Sequence, residues 1–197
     1  MVDRPRWKSV SDVVNQFLPY HTILLSPWYR LPPAHVLDIS GGVGVSPAHG
    51  AMEWGEVPPL PNPSSGHFVG QHNGALIVAG GSNFTVSPFQ GGEKEWLDHI
   101  WVLEAGASEW IDGGTLPGAR AYGGTVSLES GMWLLGGTDG VRCFDDVLEL
   151  RWEGGAIQVA PVTGAAGTLP APSAFGGAAQ VGDYLYVAGG QDDPKAT

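Results

Sequence analysis

Three apolar runs that each end in a Gly-Gly pair constrain this chain more than any other feature. They occupy residues 75–81, 132–137 and 184–190. Their first glycines, Gly80, Gly136 and Gly189, follow one another at intervals of 56 and 53 residues. A Leu-Pro pair travels with each run: Leu60-Pro61, Leu116-Pro117 and Leu169-Pro170, the Leu always 20 residues before the first Gly. Two independent markers that keep one offset in three copies define an internal repeat. A repeat of about 50 residues is one supersecondary unit that buries its apolar faces against its neighbours.

Each copy reads as an antiparallel meander. Residues 66–71 and 75–79 flank Asn73-Gly74, and both central residues of a type I′ hairpin turn need positive φ. Ser130-Gly131 and Gly182-Asp183 hold the same place in the second and third copies. Third strands are predicted over 98–104 and 145–151, and shorter fourth strands over 109–112 and 157–161. With 31 Gly and 16 Pro in 197 residues, the chain is built for turns rather than long helices. The reading is an all-β protein, a partial kelch-type β-propeller of about two and a half four-stranded blades. Residues 51–197 hold the blades. Residues 1–50 carry no repeat marker and stay unassigned, apart from a short helix expected over 12–18 with Ser11 as its cap. The third copy halts after its Gly-Gly, so the sequence is expected to be a fragment, and an open arc of blades is expected to self-associate through its edges.

Charge narrows the function classes. The formal net charge is -11, and residues 51–197 alone carry 17 acidic and five basic side chains. Such a surface repels nucleic acid, and no apolar run approaches the ~20 residues of a membrane span. Cys143 is the sole cysteine, and the six His lack ligand spacing, so no metal is expected. Trp101, Trp110, Trp133 and Trp152 are read as packing between blades.

The strand order places the Gly-Gly loops and the Leu-Pro connections on one face of the disc. Asn83, Asp139 and Asp192, each three residues after the first Gly, form a polar ring there. Arg120 sits four residues after Leu116, where the other copies have Ser64 and Ser173. It is either a ligand for an anion or the partner of a structural acid such as Glu109 or Asp112. Copy one also carries an insertion, residues 82–97, where copy two needs only 138–144. The insertion brings Glu93, Lys94, Glu95 and Trp96 over the same face. Long loops on a rigid scaffold are frequent carriers of function.

The stretch from Trp54 to Gln191 resembles the sialic acid mutarotases, kelch propellers also called N-acetylneuraminate epimerases, and most of all their cyclically permuted branch. The residues that carry this are Pro58-Pro-Leu-Pro-Asn-Pro63, Gly74-Ala-Leu-Ile-Val-Ala-Gly-Gly-Ser-Asn-Phe84, Gly91-Gly-Glu-Lys-Glu-Trp96 and Arg120-Ala-Tyr-Gly-Gly124. The resemblance covers the N-terminal half of the family's domain. It implies a six-bladed ring, among the four to eight blades that propellers use. It also implies a cofactor-free isomerase that interconverts the α and β anomers of N-acetylneuraminate or a related sugar acid, and a periplasmic or secreted setting, though no secretory signal is evident here. Carried onto this sequence, Arg120 and Glu93 are the expected catalytic pair, with Glu95 as the alternative carboxylate. Asn83, Lys94, Trp96 and Tyr122 are the substrate-binding residues. The half-ring by itself is expected to be inactive. The rival reading is a kelch module that binds a protein partner without chemistry.

Overall fold

The structure is a computed structural model that describes residues 35–37 and 54–195. The helix expected over 12–18 lies outside the described residues. Strand β1 (His35–Leu37) pairs antiparallel with β2 (Trp54–Glu56). Two four-stranded antiparallel sheets follow. The first holds β3 (Phe68–His72), β4 (Ala75–Asn83), β5 (Glu95–Glu104) and β6 (Ile111–Thr115) in sequence order. The second holds β7 (Gly124–Ser127), β8 (Met132–Leu135), β9 (Val147–Glu153) and β10 (Ala156–Pro161). A hairpin of β11 (Ala174–Val181) and β12 (Tyr184–Gln191) begins a third unit. These are two blades and half of another: a partial kelch-type propeller. Among the described residues there is no α-helix, and no helix is long and apolar enough to cross a membrane.

The turn chemistry sets the registers. His72 pairs with Ala75 across Asn73 and Gly74, whose φ values are 47° and 75°, so the hairpin closes in two residues. The Gly-Gly pair of copy one does not end its strand, as expected, but bulges within it, the register shifting between Ala79 and Gly81. Gly80 and Gly136 adopt φ values of 62° and 63°. A Cβ on either would stand 2.3 Å from a carbonyl oxygen of the next unit, that of Arg120 or Ser173. The second glycine of each pair then donates its N–H to that same carbonyl: Gly81 to Arg120 and Gly137 to Ser173, both at 2.8 Å. The motif is therefore a blade-to-blade joint that side chains would block.

A second joint lies six residues after each Leu. Gly66, Tyr122 and Phe175 all take left-handed φ, at 63°, 60° and 62°. The Tyr122 N–H donates to Gly66 O at 2.7 Å, and the Phe175 N–H to Tyr122 O at 2.6 Å. Equivalent positions are thus linked from unit to unit by one backbone bond each.

Blade two is buried on both faces, because it packs on blade one on one side and on the third unit on the other. Phe68, Ile77, Ile100, Val102, Met132, Leu134, Leu150 and Trp152 form the core between the first two blades. Val126, Leu135, Val147 and Leu169 begin the core toward the third unit. Fully burying each such side chain stabilises by about 1.5–3 kcal/mol. Trp152 fills the role expected of it, and its backbone N–H donates to buried His72 Nδ1 across the interface at 3.0 Å. Trp110 and Trp133 each donate from Nε1, to Pro58 O and to a Glu149 carboxylate oxygen.

Candidate functional site

The insertion in blade one is partly strand. Ser82 pairs with Trp96 and Asn83 with Glu95, so β4 and β5 continue beyond the blade and the free turn shrinks to residues 84–94. In blade two the equivalent bridge is Thr138 to Cys143. The turn of blade one is braced by Thr85 Oγ1, which donates to Glu95 Oε1 at 2.7 Å, and by a 3-10 turn over Pro88–Gln90. This extension carries Lys94 and Trp96 across the boundary toward blade two. The Trp96 ring lies against Gly140, where a Cβ would stand 2.4 Å from it.

Lys94, Trp96 and Tyr122 meet there. Lys94 Nζ donates to the Tyr122 hydroxyl at 2.7 Å. It also lies 4.4 Å from the Tyr122 ring centroid and 4.8 Å from that of Trp96, within range of a cation–π attraction. Trp96 meets Tyr122 edge to face at 6.0 Å, and Phe175 stacks on the other side of Tyr122 at 4.7 Å. From below, the Ser82 hydroxyl, fully buried, is 2.9 Å from the Tyr122 oxygen, and Ser65 Oγ is 3.3 Å from Ser82 Oγ. Burial alone would raise the Tyr122 phenol. Hydrogen bonds from Lys94, Ser82 and Ser65, with the Lys94 charge, outweigh it and hold the phenol below its ordinary value.

The remaining expected residues stand differently. Asn83 closes the strand extension opposite Glu95, its Oδ1 accepting from the Phe84 N–H. Glu93 is exposed, directly before Lys94. Arg120 is 4% exposed, and its guanidinium lies 4.3 Å from the Phe144 ring. Both terminal nitrogens engage Asp146, Nη1 at 3.0 Å and Nη2 at 3.1 Å, and Nη1 also reaches Gly136 O at 3.4 Å. A structural acid does hold Arg120, but it is Asp146 rather than Glu109 or Asp112. In the polar ring, Asp139 folds into its own turn, its Oδ1 accepting from the Val141 and Arg142 N–H groups. Burial pushes the Cys143 thiol up, only partly opposed by Thr138, which makes it a poor nucleophile. Among the described residues no group of His, Cys, Asp and Glu could hold a metal ion.

The sequence reading missed Ser82, Ser65 and Phe175. The signal for Phe175 was available, since it lies six residues after its Leu just as Tyr122 does. Ser82 had a weaker signal as the residue directly after a Gly-Gly pair, a place filled by the equally buried Thr138 in copy two.

Comparison with known proteins decides the relationship. An N-acetylneuraminate epimerase of Brucella suis is 27% identical over 154 residues, covering 68% of this chain and 37% of the relative. That of Vibrio cholerae is 30% identical over 125 residues, covering 54% and 32%. That of Yersinia enterocolitica is 32% identical over 107 residues, covering 48% and 26%. The chain resembles the N-acetylneuraminate epimerases. The chain is also similar to the solved structure titled "Structure of YjhT", with a TM-score of 0.51 and 25% identity over 63% of this chain and 36% of that one. The chain spans about a third of the length of the epimerases it matches. No protein-family model matches it.

Proposed function

We infer that this protein is a sialic acid mutarotase-type isomerase, and that the Lys94–Trp96–Tyr122 cluster is part of its sugar site. The observation that carries the reading is the cluster itself. An ammonium group and two aromatic rings converge on the joint between two blades of a chain that resembles N-acetylneuraminate epimerases. A sialic acid offers a carboxylate and an apolar ring face. Lys94 suits the first, its three donors allowing a carboxylate contact beside the one to Tyr122. Trp96 suits the second, as an aromatic platform beside the ammonium. Asn83 borders the cluster and supplies amide donors and acceptors for hydroxyl or acetamido groups.

Mutarotation needs a base for the anomeric hydroxyl proton and an acid for the ring oxygen. Glu93, exposed beside Lys94, is the base, directly or through a water. Arg120, committed to Asp146, acts by positioning the strand start that carries Tyr122. A second reading has one observation in its favour. Phe84, Val86 and Phe89 on the blade-one turn and Val141 on the blade-two turn present apolar surface, Phe89 being 80% exposed. Such a rim suits a peptide partner.

One experiment separates the two. Protein expressed from its complete reading frame is mixed with the α anomer of N-acetylneuraminate, and the proton spectrum is followed. The mutarotase reading expects faster equilibration than in buffer, lost on Lys94→Met. Equilibration at the buffer rate rejects it in favour of the binding module.

A further inference from the structure

Tyr122 is held more elaborately than a ring platform requires. It keeps a left-handed backbone that a bulky residue adopts only under strain, where blade one uses Gly66. Its hydroxyl, not merely its ring, is the hub of the cluster. Lys94 donates to it from the start of β5 at 2.7 Å. The fully buried Ser82 faces it from β4 at 2.9 Å. Ser65 supports Ser82, its Oγ reaching both Ser82 Oγ and Ser82 O. Trp96 and Phe175 flank the ring and add no charge. The phenol oxygen receives a hydrogen bond from the Lys94 cation, and with Ser82 also turned to donate it keeps its own proton for a third partner. The anion left when that proton departs is already stabilised.

We propose that the Tyr122 hydroxyl is the proton donor to the sugar ring oxygen, with Lys94 and Ser82 holding the phenolate that forms. This rests on the mutarotase reading above and assigns Tyr122 a chemical task rather than a packing one. The step balances. The anomeric hydroxyl gives its proton to the Glu93 carboxylate as the bond between the anomeric carbon and the ring oxygen breaks. The ring oxygen takes the Tyr122 proton and becomes a hydroxyl, and the anomeric carbon becomes a ketone. After rotation of that carbon, the new hydroxyl attacks the opposite carbonyl face. It returns its proton to Tyr122, while the carbonyl oxygen recovers one from Glu93. Nothing is oxidised or reduced. The direction of the Tyr122 shift agrees, because a phenol held below its ordinary value is the better donor near neutrality.

Two readouts test this on protein expressed from its complete reading frame. In the first, tyrosines carry a ring-carbon label, and Tyr122→Phe identifies the Tyr122 line. Tyr122 is expected to titrate below the ordinary phenol value, and Lys94→Met to move it upward. A Tyr122 line that titrates at the ordinary phenol value and ignores Lys94→Met overturns the proposal without any activity measurement. In the second, Tyr122→Phe is expected to slow catalysed anomer equilibration by about 10²- to 10⁴-fold while N-acetylneuraminate still perturbs the Trp96 signal. The parent rate should fall as pH rises through the Tyr122 midpoint. A parent that accelerates equilibration and a Tyr122→Phe variant that matches it, with the same pH profile, overturn the proposal and leave the functional reading standing. A parent that does not accelerate equilibration removes both.

Discussion

Blade one and blade two share a scaffold and differ at one turn. In both, a left-handed glycine lets the next unit's carbonyl approach, and the following glycine bonds it at 2.8 Å. Beyond that point they part. Blade two turns back at once, Thr138 bridging to Cys143 with the turn tied by Thr138 Oγ1 to Arg142 O at 2.6 Å. Blade one runs on through paired strands before it turns, and its returning strand delivers Lys94 and Trp96 to the Tyr122 of its neighbour. Repetition builds the arc of blades, and the proposed sugar site lies where a blade breaks the repeat. The same contrast appears on the inner strands. Arg120 of blade two replaces the Ser64 of blade one, and the new side chain ties down its own blade through Asp146.

The largest effects should come from breaking what the blades share. Gly80→Ala and Gly136→Ala should each lose about 2–5 kcal/mol, left-handed strain plus a collision with the next unit's carbonyl. Gly106→Ala has the same sign of φ but no atom within 4 Å, so it should lose only about 1–2 kcal/mol. Urea unfolding followed by Trp fluorescence measures all three. Equal losses would mean that the joint is not what selects glycine.

Next comes the feature particular to blade two. Asp146→Ala leaves the Arg120 charge buried and should cost about 3 kcal/mol, the low end for broken buried pairs because Asp146 is 44% exposed. Arg120→Met leaves only that half-exposed carboxylate and should cost less. Reversal of this order in a double-mutant cycle would contradict the assignment of Arg120 as a buried clamp. The contact between the two blades through His72 ranks below it. His72→Ala strands the buried Trp152 N–H and should cost about 1–3 kcal/mol by the same assay.

The smallest effect is a pH dependence. Burial holds His67 below its ordinary value, against a weaker upward pull from Ser64. The unfolded chain therefore binds the proton more readily than the folded one. Stability should be fully present above the unfolded value near 6.5 and should decline as pH falls through it. His67→Gln should flatten the slope of urea midpoint against pH between 7.5 and 5.5, and an unchanged slope would assign the dependence elsewhere.

The repeat, the hairpins at Asn73-Gly74 and Gly182-Asp183, and the inter-blade Trp133 and Trp152 were legible because each leaves a local mark, whereas the Ser130-Gly131 turn opens to residues 128–131, Ser127 pairing with Met132. The strand ends were less so. A bulge lets β4 pass through Gly80 and Gly81, and glycines in a sequence read as a stop. Lys94, Trp96 and Tyr122 were singled out, but their meeting was not visible, because it depends on the strand extension that carries one blade's edge to the next. The partner of Arg120 was missed because Asp146 lies 26 residues on, in a turn with no motif of its own. The left-handed backbone of Tyr122 was hidden for a simpler reason: the residue type that announces such a conformation, glycine, stands only in copy one.

The most direct test of the account is the aromatic ring-carbon spectrum of the protein during addition of N-acetylneuraminate. Saturable shifts of the Tyr122 and Trp96 signals, abolished by Lys94→Met and kept in Arg142→Met, are the predicted result. Shifts that spare Tyr122 and Trp96, or that survive Lys94→Met unchanged, would contradict the placement of the sugar site at the broken repeat.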